Sequence, residues 1–151
     1  MEFGRKNIDP PNSDKLIIAV LAVAAIVFFA LSALILVGCY QSFQEFGHIS
    51  GLQFDGLFSF AMFSAATAMT FFVKSGRTSF REGRRISSYL LLICLLGIAI
   101  FFAVDAYAKT QPSYFAYGVP YWTIVSMAII SLTWLYFDHC LKLQSELDSF
   151  V

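Results

Sequence analysis

Residues 16–40 read LIIAVLAVAAIVFFALSALILVGCY. Between Leu16 and Val37 the only polar side chain is Ser32. A helix of a soluble bundle keeps a polar face at 3.6-residue spacing, and this stretch has none. A bilayer core about 30 Å thick needs about 20 apolar residues in a helix. The segment therefore predicts a membrane span. It is too long for a cleaved leader and has no small-x-small processing site beyond it, so it is expected to stay as an anchor.

Three more stretches follow the same rule. Residues 57–73 carry no charge, 86–108 carry Asp105 near their end, and 121–141 carry Asp138 and His139 in their last turn. The sequence thus predicts an all-α integral membrane four-helix bundle with spans at about 16–40, 57–73, 86–108 and 121–141. A tail at 1–15 and a tail at 142–151 flank it. The composition agrees: 58% of the 151 residues are hydrophobic and 13% are charged. Soluble domains run at about 45–50% and about 25%. Ten cations balance ten acids. That excludes disorder driven by net charge, and it gives no reason to expect a nucleic-acid partner.

The distribution of charge is less even than its total. Residues 74–85, KSGRTSFREGRR, hold Lys74, Arg77, Arg81, Arg84 and Arg85. By the positive-inside rule this basic loop is cytoplasmic. Arg5, Lys6, Lys15 and Lys142 then share its side, and only Lys109 lies opposite. Both termini are expected in the cytoplasm. Pro10-Pro11-Asn12-Ser13 reads as a break and a helix cap, and Pro120-Tyr121-Trp122 as the start of the fourth helix. Tyr40, Tyr107, Tyr114 and Tyr117 suit an outer aromatic belt, with Trp134 and Tyr136 nearer the inner one.

Charged groups inside spans are costly and point to function by default. Asp105 is the one charged residue of the third span and lies near its end. It can serve ion-coupled transport, or it can simply pair with Lys109, four residues on along the same face. In the outer segment 41–56, Glu45, His48 and Asp55 are metal-capable residue types. One histidine and two acids fall short of a tight site, and they read as a solvated acidic loop. No metal and no cofactor is expected. Asp138, His139 and Cys140 are consecutive, so they point about 100° apart on a helix and do not converge. Cys39, Cys94 and Cys140 lie at three depths, which excludes a disulfide among them.

Small residues mark packing faces: Ala61, Ser64, Ala65 and Ala68 in the second span, Ala99 and Ala103 in the third. The hydroxyls of Ser59, Ser64, Thr67 and Thr70 can bond between helices or line a narrow pore. The final Ser149-Phe150-Val151 fits the short pattern that PDZ-type domains read. No nucleophile and base pair stands out, so the chain is not expected to be an enzyme. The expected function is an accessory or self-assembling subunit of a membrane complex. Its partners would be the lipid bilayer, other membrane subunits or copies of itself, and anionic lipid headgroups at the inner face. The alternative is a small oligomeric transporter or pore using Asp105 and the hydroxyl-rich second span.

Overall fold

The computed structural model describes residues 12–110 and 118–150, with side chains from Asp14 onward. Arg5, Lys6, the Pro10-Pro11 break, the side chains of Asn12 and Ser13, Tyr114, Tyr117 and Val151 lie outside that range. The described chain is 88% helical and contains no strand. Its four helices are α1 (Asn12–Phe46), α2 (Gly51–Lys74), α3 (Phe80–Ala108) and α4 (Tyr121–Ser149). Each is long and apolar enough to cross a membrane. Lipid offers backbone amides no hydrogen-bond partner, so a helix that bonds within itself is the economical form for such segments.

The helices are longer than the apolar stretches. Residues 41–56, expected as an outer loop, are mostly helix, and the real turn covers only 47–50. Gly47 at φ 74° ends α1, its N–H reaching the Phe43 carbonyl at 2.9 Å. Ser50 starts α2 with a capping box: its Oγ accepts from Gln53 N–H at 3.1 Å, and Gln53 Oε1 accepts from Ser50 N–H at 3.1 Å. The S-x-x-Q spacing of that box is visible in the sequence.

The basic loop contracts likewise. Gly76, φ 79°, closes α2 in a Schellman turn: Arg77 N–H donates to Phe72 O at 3.0 Å and Gly76 N–H to Val73 O at 3.1 Å. Ser79 Oγ then accepts from Glu82 N–H at 3.2 Å to open α3. Arg81, Arg84 and Arg85 therefore sit on the first turns of α3, Lys74 ends α2, and Arg77 alone lies in the turn. At the far end α4 continues through the expected tail to Ser149.

Short turns make neighbouring helices antiparallel. Helices α2, α3 and α4 all touch one another, whereas α1 contacts α2 alone. The arrangement is a three-helix core with α1 laid along one side, not an evenly packed four-helix bundle. On α3 the inward positions are Gly83, Ser87, Leu90, Cys94, Gly97, Phe101 and Asp105. Their spacing by threes and fours is that of a coiled-coil seam. The core joins Ala66, Leu90, Cys94 and Ile130, and towards the other end Met69, Val73 and Phe137. Lipid is as apolar as these side chains, so close packing and polar contacts must hold the helices together.

Close approach depends on glycines as much as on alanines. Phe58 of α2 lies over Gly97, where a Cβ would meet three ring atoms at 2.4–2.8 Å. Gly83 takes Val73 and Phe137 in the same manner, at 2.9 and 3.1 Å. Ala65 packs beside the core. Ala61, Ser64 and Ala68 are half-buried on α2, but Ala99 and Ala103, expected as a packing face, are exposed on the outside of α3. The inward face of α3 is the one bearing Gly83 and Gly97.

Candidate functional site

The α1–α2 seam carries three polar stitches. Ser42 Oγ accepts from Gln53 Nε2 at 2.8 Å, Ser32 Oγ donates to Leu57 O at 3.2 Å, and Ser64 Oγ donates to Ala25 O at 2.9 Å. Between them Phe28 packs on Phe63 and Phe60, with centroids 5.5 and 6.1 Å away. The lone polar residue of the first span is thus a helix-to-helix contact. The other hydroxyls of α2 bond to the carbonyls of its own turns: Ser59 to Gly56, Thr67 to Phe63 and Thr70 to Ala66. Among the described residues no buried side-chain nitrogen or oxygen lacks a partner.

Among the described residues the most deeply held carboxylate is Asp55, only 3% exposed. Helix α4 begins after Pro120, which has no capping side chain. A helix start leaves its first N–H groups without partners in the helix. Here each is accounted for. Tyr121 N–H reaches Val119 O at 2.9 Å, and Ile124 N–H reaches Pro120 O at 3.1 Å. Between them, Trp122 N–H donates to Asp55 Oδ2 at 3.0 Å and Thr123 N–H to Asp55 Oδ1 at 2.9 Å. The Thr123 hydroxyl adds a third bond to Oδ1 at 2.6 Å. Asp55 of α2 therefore caps α4 from outside, and its negative charge faces the positive end of that helix. It is neither in a loop nor solvated. Glu45 is exposed near the end of α1, and His48 lies in the turn with its ring 6.2 Å from that of Phe46. No group of three metal-capable side chains forms among the described residues.

Asp105 is also buried, on the inward face of α3, with Lys109 Nζ 3.3 Å from its Oδ2. At the opposite end, Asp138 bridges two cations: Arg84 Nη1 of α3 at 2.7 Å and Lys142 Nζ at 3.1 Å. This ties α3 to α4, so Asp138 is paired within the protein rather than reaching for headgroups. One turn deeper, Trp134 Nε1 donates to Ser88 Oγ at 2.9 Å. His139 is exposed and Cys140 half-buried, so the consecutive Asp-His-Cys do not form one cluster. Cys39, Cys94 and Cys140 are all free thiols.

The polar groups of the spans mostly act as fasteners. Comparison with family models, curated proteins and solved structures found nothing that matches this chain.

Proposed function

We propose that this chain is a multi-pass membrane protein without a catalytic centre, acting as an accessory or self-assembling subunit of a membrane complex. The observation that carries the reading is the placement of α1. Among the described helices it touches only α2, so a span-length apolar surface is left uncovered by the other described residues. Leu16, Ile26, Phe29 and Leu34 are each about two-thirds exposed, at 66%, 68%, 69% and 68%. Ala99 and Ala103 add a second outward face on α3 where another helix can approach closely. The hydroxyls of α2 are engaged with main-chain carbonyls, which favours packing over a hydroxyl-lined pore.

The test is stoichiometry in a bilayer. Tagged protein is extracted into nanodiscs directly from its native membrane and weighed by native mass spectrometry. More than one copy per disc, or a defined co-purifying membrane subunit, is the expected result. A plain monomer without partner, together with Asp105-dependent ion flux in liposomes, would overturn the reading in favour of a transporter.

The orientation proposed is N-in and C-in, supported by the cations gathered at one end of the helices. Lys74, Arg77, Arg81, Arg84 and Arg85 lie at the α2–α3 turn, whereas Lys109 lies at the other end. Gln44→Cys and Glu146→Cys place thiols at exposed positions on opposite ends. An impermeant maleimide on intact cells is expected to label the first and to spare the second until the membrane is opened. The reverse pattern rejects this topology.

A further inference from the structure

A groove of about 590 Å³ runs between α3 and α4 on the side away from the core, lined by Ser88, Leu91, Leu92, Ser131, Trp134 and Leu135. That size lies within the range of ligand pockets, about 300–1,000 Å³. Its wall is apolar apart from the Ser88 and Ser131 hydroxyls and the Trp134 ring nitrogen, and the Ser131 hydroxyl is already bonded to Met127 O at 2.8 Å. What lies above it on α3 is charged. At about 100° per residue, Arg81, Arg85, Ser88 and Leu92 fall within an arc of about 60° on one face of the helix. Arg85 stands about 10 Å above Leu92 along the axis, and Arg81 about 16 Å.

The two arginines differ from their neighbour Arg84. Arg84 is committed to Asp138 at 2.7 Å. Arg85 has a loose contact with Glu82 at 3.7 Å, with both side chains more than half exposed, and lies over the Tyr89 ring 5.9 Å from its centroid, so no buried ion pair holds it. Arg81 makes no ion pair among the described residues; it borders a separate hollow nearer the helix ends, which it shares with Leu141, Gln144 and Asp148 of α4. Asp138 itself is balanced by Arg84 and Lys142, so an incoming anion meets no uncompensated carboxylate there.

We propose that this groove is a binding site for an anionic phospholipid, its acyl chain against Leu92, Trp134 and Leu135 and its phosphate between Arg81 and Arg85. The inference does not depend on the accessory-subunit reading, since a monomer or a transporter could carry the same site. The stripe matches the chemistry of a lipid end to end: cations at headgroup level, a polar hydroxyl and indole N–H below, then hydrocarbon. Each cation near an anionic leaflet is worth about a fivefold preference.

Trp134 makes the site observable. In a Trp122→Phe background it is the only tryptophan. Full-length protein is placed in vesicles containing either brominated phosphatidylglycerol or brominated phosphatidylcholine at the same mole fraction. Bromine on the acyl chain quenches an adjacent indole. The expected result is at least fivefold tighter apparent binding of the anionic phosphatidylglycerol, judged by quenching. Arg81→Gln with Arg85→Gln should remove that preference, whereas Lys74→Gln with Arg77→Gln, off the stripe, should leave it. Equal quenching by both lipids in the parent overturns the proposal. So does an equal loss in both double variants, which means diffuse attraction to the leaflet. Protection of Trp134 from both lipids also overturns it, since a second copy or another helix then fills the groove. All four substituted cations are exposed, and unchanged helicity by circular dichroism confirms that the variants fold.

Discussion

Asp55→Ala is expected to lower the unfolding free energy by about 3 kcal/mol or more, since hydrogen bonds to charged groups contribute about 1.5–3 kcal/mol each. The substitution removes the acceptor of two main-chain donors and one hydroxyl together. Trp122 and Thr123 are in the first turn of α4, and no side chain at Pro120 can replace the lost acceptor. At 3% exposure the site leaves water little access to take its place. Asp55→Asn keeps one carbonyl oxygen but loses the charge facing the helix dipole, so it should fall between parent and alanine variant. Unfolding by sodium dodecyl sulfate in bicelles, followed by circular dichroism, gives the order directly. Glu45→Ala, an exposed acid on the neighbouring helix, serves as the comparison and should change stability by less than about 0.5 kcal/mol. If Asp55→Ala unfolds at the same detergent fraction as Glu45→Ala, the cap is not holding α4.

The second large effect is at Gly97. Gly97→Ala places a methyl where three atoms of the Phe58 ring already lie, the nearest at 2.4 Å. Overpacking of this kind costs about 1–3 kcal/mol. The Phe58 ring also stacks on Phe54, and Phe54 in turn meets Phe101, so it cannot retreat without disturbing that end of the core. A destabilisation of about 3 kcal/mol, at the upper end of that range, is expected. The decisive measurement is the pair with Phe58→Leu, which clears space over residue 97. The two changes together should be markedly less harmful than the sum of each alone, because they share one contact. Strict additivity would mean that the ring and the glycine do not meet.

The presence of four helices was legible because hydropathy over about 20 residues is a direct consequence of the bilayer's thickness. Helix ends were less legible, for a physical reason. Hydropathy registers only the part of a helix that suits hydrocarbon, and it falls silent where a helix runs on into the polar layer. Ser50-Gly51-Leu52-Gln53 and Ser79-Phe80-Arg81-Glu82 both have capping spacing, and weighing those signals above charge would have placed α2 and α3 correctly. Asp55 reads as a loop acid for the same reason. The clue to its partner sat elsewhere, in a helix beginning Pro120-Tyr121 with nothing of its own to cap it. Pairing the two requires knowing that α2 and α4 touch, and no local pattern contains that. The inward face of α3 was missed differently. Alanine spacing pointed to Ala99 and Ala103, but Gly83 and Gly97 permit the closer approach and took the inside.

The Asp55 cap also sets a calendar. Its nearest donor, Trp122, lies 67 residues further along the chain. The contacts that fasten α1 to α2 are much more local, such as Ser42 to Gln53 across 11 residues. In a chain made from its N-terminus, the first hairpin can therefore zip up as soon as it emerges. Asp55 must wait until α4 is synthesised before its carboxylate is satisfied. Until then the growing protein carries an acid at the rim of the membrane with nothing to hold, and the arrival of the last helix both completes the structure and ends that exposure.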